Sequence, residues 1–509
     1  MDEVESKAVA DVAPTMGWVG GKSLVRGDLS MSDLMPVHQA TTWEQLLNNR
    51  EVSSTEILWR YIERIVRWDQ DGPQLNAVAE MNPDAMSIAE ALDQERNLGK
   101  IRGPLHGIPV MIKDNIATAD KMHTTAGTLA LAHVRTPFDA HLVARLRDAG
   151  AIIFGKTNLT ELANFMSDHM PNGYSARGGQ VRNPYGPGRL DTGGSSAGSG
   201  VAVAAEFTPL AIGTETSGSI LSPSSQNSIV GLKPSIGVVS RAGIVPIAHS
   251  QDTAGPMVPT VRDAALLLSV IAGPDPSDPV TLSSPFPDGH DFTQYLNADN
   301  LSRVRLGLIG GTYRDDWSDE DAGLMMRAVK DLRGLGAEVV EDVTLPNHDF
   351  SYDVLLYEFK VGLNAYLQQL GPEVAVRTLG DIIQFNHRHA ERALRYGQSV
   401  LLAAEATRGT LIESRYWRSR QHDLKWSRTD GLDRAMSDNQ LDAVLFYGNY
   451  GADIAARAGY PSITVPAGYR TDGKPVGLTF AGLRFSEPTL LRLAYVYEQK
   501  TQRRQLPEL

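Results

Sequence analysis

The sequence predicts an α/β fold, a layered architecture with helices covering a β-sheet. Two observations carry that prediction. Segments of helical period alternate with short apolar runs of strand length along most of the chain. Capping residues punctuate the junctions, and 509 residues at 42% hydrophobic content supply material for a large core.

The elements follow in order. Ser53 with Glu56 three residues on forms a capping box, and Leu58, Tyr61, Ile62, Ile65 and Trp68 continue it as a helical stripe. "GIPVMIKD" is a short apolar run that predicts a buried strand ending near Lys113. "AHLVARLRDAG" then "AIIFGKT" reads as helix, glycine cap and strand, and "SAGSGVAVAAEF" then "TPLAIGTE" repeats the pattern. Further on, "RVRLGLIGG" and "AEVVEDV" predict strands around a capped helix with Met325, Val329 and Leu332 on one face. "DAVLFYG" and "YPSITVPAGY" predict late strands, and "EPTLLRLAYVYEQK" a final helix. Residues 351–428 interrupt the alternation and predict a mostly helical insertion packed over one end of the sheet. The proline-rich stretch 273–289 predicts a surface crossing between two halves. Residues 1–35 read as an N-terminal extension, and 36–505 as one domain.

Totals exclude several functions. A net charge of -12 argues against nucleic-acid or anionic-membrane partners, and the absence of cysteine removes disulfides, a cysteine nucleophile and thiolate metal sites. No apolar run reaches membrane-spanning length, and the first residues lack the apolar core of a signal peptide, so a cytoplasmic protein is expected. "GWVGGKS" resembles a phosphate loop but fails on spacing, because the position its first glycine requires holds Met16. His387 and His389 are two apart on a predicted helix and face different sides, which does not suit a metal.

Three segments carry the chemistry: "GIPVMIKDN" with Lys113, "GGSSAGSG" with Ser195 and Ser196, and "GTETSGSI" with Ser219. A serine nucleophile needs a base and donors aimed at an oxyanion. Lysine can be that base when neutral, and the flanking Ile108, Pro109, Val110, Met111 and Ile112 predict a desolvated Lys113. Each residue also has an ordinary reading: Lys113 as an exposed strand end, Ser195 as a helix N-cap, Ser219 as a turn serine, and Ser196 as a cap or supporting donor. Asp114 points away from Lys113 along a strand, and His106 and His249 lie near the motifs without an argument for catalysis.

The three segments, together with "NSIVGLKPSIGVVSRAGIVPIAHSQDTAGPM", "AARAGYPSITVPAGY" and "GKPVGLTFAG", resemble the amidase signature family of serine hydrolases over residues 39–502. The pattern is most similar to the bacterial and plant amidases that include peptide amidases. The resemblance implies a large mixed, twisted sheet covered by helices on both faces. It implies Lys113 as base, Ser195 as a bridging serine after a cis peptide bond at Gly194, and Ser219 as the acylated nucleophile. The backbone of Thr216, Ser217, Gly218 and Ser219 would form the oxyanion hole, with Gly194, Ser196 and Asp252 in support. Ser217 stands where the family usually has Gly or Asp, and Leu221 where some members carry Arg. The implied reaction takes a small-molecule amide or peptide amide to an acid and ammonia or an amine. It implies no cofactor and no metal, and a monomer or homodimer. An amidase subunit of a tRNA-dependent amidotransferase, or an inactive relative with a binding role, are the alternatives.

Overall fold

The computed structural model describes residues 37–296, 300–346 and 350–509; the extension at 1–35 and the "GWVGGKS" stretch lie outside the described residues. In chain order the strands are β1 Val78–Met81, β2 Pro109–Lys113, β3 Ile152–Thr157, β4 Tyr174–Ser175, β5 Gly179–Gln180, β6 Leu210–Glu215, β7 Val230–Lys233, β8 Thr253–Val258, β9 Arg305–Ile309, β10 Glu338–Val343, β11 Ala443–Tyr447, β12 Ser462–Tyr469 and β13 Pro475–Ala481. Among the described residues β4 and β5 make a hairpin, and the other strands form one 11-stranded sheet in the order β1-β3-β2-β6-β8-β7-β12-β13-β11-β9-β10.

The sheet is mixed. β2 runs parallel to β3 and β6, and β9 parallel to β10 and β11. The middle of the sheet is antiparallel, through β6–β8, β7–β8, β7–β12 and β12–β13. The parallel strands β2, β3 and β6 are buried along their whole length, which is why they read as continuous apolar runs without alternation. Helices cover both faces: Ala197–Ala204 packs with Leu221–Gln226 against β6, β7, β12 and β13, while Val261–Ile271 packs with Glu487–Thr501 over β7, β8, β12 and β13.

Local chemistry accounts for the helix starts. Ser53 and Glu56 close the predicted capping box on Ser54–Arg64, and Ser318 with Asp321 does the same for Asp319–Gly334. Leu58, Tyr61, Ile65 and Trp68 are buried, whereas Ile62 is only half-buried. Residues 351–428 contain the helices Asp353–Gln369, Leu379–Arg388, Ser399–Glu405 and Ser414–Leu424. Their apolar faces, with Phe359, Leu363 and Ile382, form a core of their own with Phe165 and Val245.

The strand read in "TPLAIGTE" is β6, which continues through Gly213, Thr214 and Glu215, so the turn begins at Thr216. Strand β8, "TAGPMV", carries Gly and Pro, which read as breakers, yet it pairs with β6 from Ala211 to Glu215.

Candidate active site

Parallel pairing of β2 and β6 aligns Ile112 with Ile212, so Lys113 and Thr214 leave the same end of neighbouring strands. The carboxyl ends of parallel strands are where open α/β sheets gather their sites. Lys113 is 0% exposed. Its Nζ donates to Ser195 Oγ at 2.7 Å, to Thr214 Oγ1 at 2.8 Å and to the Thr214 carbonyl at 3.3 Å. Burial pulls the Lys113 pKa from 10.5 down to about 7, against the opposing pull of Glu215 and Asp252.

Ser195 follows a cis peptide bond at Gly194 and is fully buried. The Thr160 N–H holds its carbonyl at 3.0 Å. A Cβ on Gly194 would lie 2.6 Å from Asn172 Oδ1 and 2.7 Å from Thr160 Oγ1, so the close approach there requires glycine. The N-cap of the following helix is Ser196, not Ser195, and its hydroxyl does not cap. Instead Ser196 Oγ donates to the Thr214 carbonyl at 3.1 Å and accepts from the Thr214 N–H at 3.2 Å, which pins the helix to β6.

Ser219 is 7% exposed and joins the group through its main chain, where its carbonyl accepts the Ser196 N–H at 3.2 Å. Among the described residues the N–H groups of Ser217, Gly218 and Ser219 make no hydrogen bond. Gly218 has φ +80°, a conformation that favours glycine, and Ser217 is exposed. Thr216 is fixed from behind: its hydroxyl donates to Asp252 Oδ1 at 2.6 Å, and its carbonyl accepts from Gln251 Nε2 at 3.2 Å. Asp252 Oδ2 accepts the Ile247 and Ala248 N–H groups at 2.9 Å each, and burial raises the Asp252 pKa to about 7.

Thr214, Asn115 and Glu215 were not singled out by sequence. Asn115 Nδ2 donates to Thr214 Oγ1 at 3.0 Å, leaving that oxygen between an amide and the lysine. Glu215 Oε2 accepts the Ile220 and Leu221 N–H groups at 2.7 and 3.0 Å, holding the chain just beyond Ser219. The available signal was position: Thr214 and Glu215 sit inside "GTETSGSI", and Asn115 ends "GIPVMIKDN".

Other candidates fall away from the cluster. Asp114 accepts from the Thr125 N–H at 3.1 Å and lies 3.6 Å from Arg177. The His106 ring is engaged with the Leu92 carbonyl at 3.0 Å. His387 is exposed, and the His389 ring lies tilted against Phe385. No group of three or more His, Asp or Glu among the described residues is arranged to hold a metal.

Outside the Ser217–Gly218 turn lies a cavity of about 460 Å³ lined by Asn449, Tyr450 and Asp453, a volume in the small-molecule range. Behind Thr216 a cavity of about 20 Å³ borders Asn115, Asp252 and His249, enough for about one water.

A family model described as Amidase matches residues 56–491. The chain belongs to the amidase family. As a member it is a hydrolase of C–N amide bonds. It is 40% identical to a probable amidase of Arabidopsis thaliana, over 96% of this chain and 94% of the relative. Among solved structures it is similar to the native peptide amidase from Stenotrophomonas maltophilia, at 44% identity and a TM-score of 0.88, over 92% of this chain and 98% of that one. One of the glutamyl-tRNA(Gln) amidotransferase subunits, from Thermosynechococcus vestitus, shares 34% identity over 89% of this chain and 96% of the relative. No described helix of this amidase-family chain is long and apolar enough to cross a membrane.

Proposed function

We propose that this enzyme hydrolyses the carboxamide of a peptide amide or a similar small amide through an acyl-enzyme on Ser219. The observation that carries the mechanism is Lys113: fully buried, with a pKa drawn to about 7, and 2.7 Å from Ser195 Oγ. A neutral Nζ accepts the Ser195 proton while Ser195 Oγ accepts the proton of Ser219. Ser219 Oγ then attacks the carbonyl carbon, and the developing oxyanion takes the free N–H groups of the Thr216–Ser219 turn. Asp252 supports that turn through the Thr216 hydroxyl. The relayed proton goes to the departing nitrogen, ammonia or an amine leaves, and water attacks the ester by the same path in reverse. The substrate occupies the cavity outside Ser217 and Gly218. The likeness to a peptide amidase supports the peptide-amide class.

Ser217, two residues away, is the rival nucleophile, and substitution separates the two. Ser219→Ala is expected to lose about 10⁴-fold or more in kcat with the fold intact, and Ser217→Ala far less. The reverse order would reassign the nucleophile.

A further inference from the structure

The helical segment does not line the cavity at Ser217; it lines a different one of about 680 Å³. Into this second cavity come four arginines, Arg241, Arg420, Arg428 and Arg484. Arg241 is neutralised by Asp278. The other three form no ion pair among the described residues. Arg428 Nε donates to the Ala458 carbonyl at 2.7 Å, and Arg484 Nη2 to Ser283 Oγ at 2.9 Å, both neutral acceptors. Arg420 Nη1 is buried with no hydrogen-bond partner.

Nearby carboxylates offset part of this charge. Glu358, which lines the cavity, accepts the Ser250 N–H at 2.9 Å and the Tyr416 hydroxyl at 2.8 Å. Asp433 accepts the Tyr460 hydroxyl at 2.7 Å, and Asp423, whose two oxygens make no hydrogen bond, lies 3.6 Å from Arg457 and also feels the charge of Arg420. Burial holds the Arg428 pKa below its ordinary value, and the charges of Arg420 and Arg484 push the same way, against Tyr460 and Asp433. Like charges gathered around partly buried space, with one guanidinium nitrogen unsatisfied, leave a deficit that an anion would remove. Val280, Val361 and Leu411 give the same cavity an apolar wall.

We propose that this cavity binds an organic carboxylate, its anionic group held by Arg420, Arg428 and Arg484 and its hydrocarbon part on the apolar wall. The carboxylate belongs either to a substrate or to a separate acid, because Arg241 and His249 line both this cavity and the small one behind Thr216.

Calorimetry on the full chain tests it without requiring turnover, so its failure is distinct from failure of the catalytic reading. Hexanoate is the probe and hexan-1-ol the neutral control. Wild type is expected to bind hexanoate at least tenfold more tightly than hexan-1-ol. Arg420→Gln and Arg484→Gln should each weaken hexanoate about tenfold or more, as loss of a charge-assisted contact does, with Arg420→Lys recovering part of the loss. Unchanged thermal melting of these variants shows that the fold survives. If a carboxylate-bearing peptide amide shows a raised KM in Arg420→Gln while a neutral one does not, the carboxylate is the substrate's. If hexanoate affects turnover of a neutral peptide amide non-competitively, it is a separate acid's. Equal binding of hexanoate and hexan-1-ol by wild type, or hexanoate affinity unchanged in both Gln variants, overturns the proposal.

Discussion

Lys113 shows how far a residue's chemistry depends on what the fold brings beside it. Three lysines, Lys113, Lys156 and Lys233, are fully buried, and burial lowers all three pKa values, to about 7, 8 and 8. Lys156 donates to the Ile116 carbonyl and to Thr124, and Lys233 to the Pro234 carbonyl. Lys113 alone of the three donates to a serine of the Gly-Ser stretch. With its pKa at about 7, Lys113 is protonated below that pH and neutral above it, so as the proposed base it is silent on the acid side. The expected kcat/KM therefore rises through about pH 7 and stays high into the alkaline range, well below the ordinary lysine value of 10.5. Lys113→Arg is expected to lose most activity at every pH, because a guanidinium stays charged and accepts no proton. A pH profile of the Arg variant close to wild type would make Lys113 a positioning cation. The apolar flanks of Lys113 made its burial legible in sequence. They could not separate it from Lys156, whose "AIIFGKT" is equally apolar, because the difference lies in pairing between β2 and β6.

At the scale of elements, the site rests on a helix of small residues, Ala197–Ala204, buried at every position. A Cβ on Gly198 would meet the Asn158 carbonyl at 2.3 Å and the Ala77 carbonyl at 2.5 Å, both backbone and unable to swing away. Gly198→Ala is expected to destabilise by about 1–3 kcal/mol through overpacking. Gly323, on the exposed side of Asp319–Gly334, has nothing within 4 Å of such a Cβ, so Gly323→Ala should stabilise by about 0.5–1 kcal/mol. Thermal unfolding of the pair checks both signs; a Gly198→Ala protein that melts with wild type would refute the tight contact. Elements with an unambiguous period or cap were readable, including Ser54–Arg64 and Asp319–Gly334. β8 was not, because its Gly255 and Pro256 break the apolar pattern; Pro256 is accommodated because β7 pairs only with Met257 and Val258 beyond it. β7 and β1 were too short, at 4 residues each, to show a pattern.

Across the whole molecule, alternation along the chain pointed to helices layered on a sheet, but not to antiparallel pairing in its middle, which depends on contacts between distant segments such as Gly231 with Thr464. Residues 351–428 hold helices such as Asp353–Gln369 and Leu379–Arg388, yet the cavity at Ser217 takes its walls from residues such as Tyr447, Asn449 and Arg470 near the C-terminus. A substrate preference set there is expected to respond to Asn449→Ala or Asp453→Asn, with KM for a panel of peptide amides shifting more than kcat; a panel unchanged by both variants would move the substrate elsewhere. The likeness to amidotransferase subunits raises the question of whether this chain needs partners to act. One measurement addresses that together with the central claim: rapid quenching of the chain purified alone with a peptide amide, followed by mass mapping of the adduct and assay of ammonia. The account predicts an acyl group on the peptide containing Ser219, at Ser219 itself, with ammonia released in step with acylation and no second subunit present. An adduct on Ser217, or no ammonia until another subunit is supplied, would contradict it.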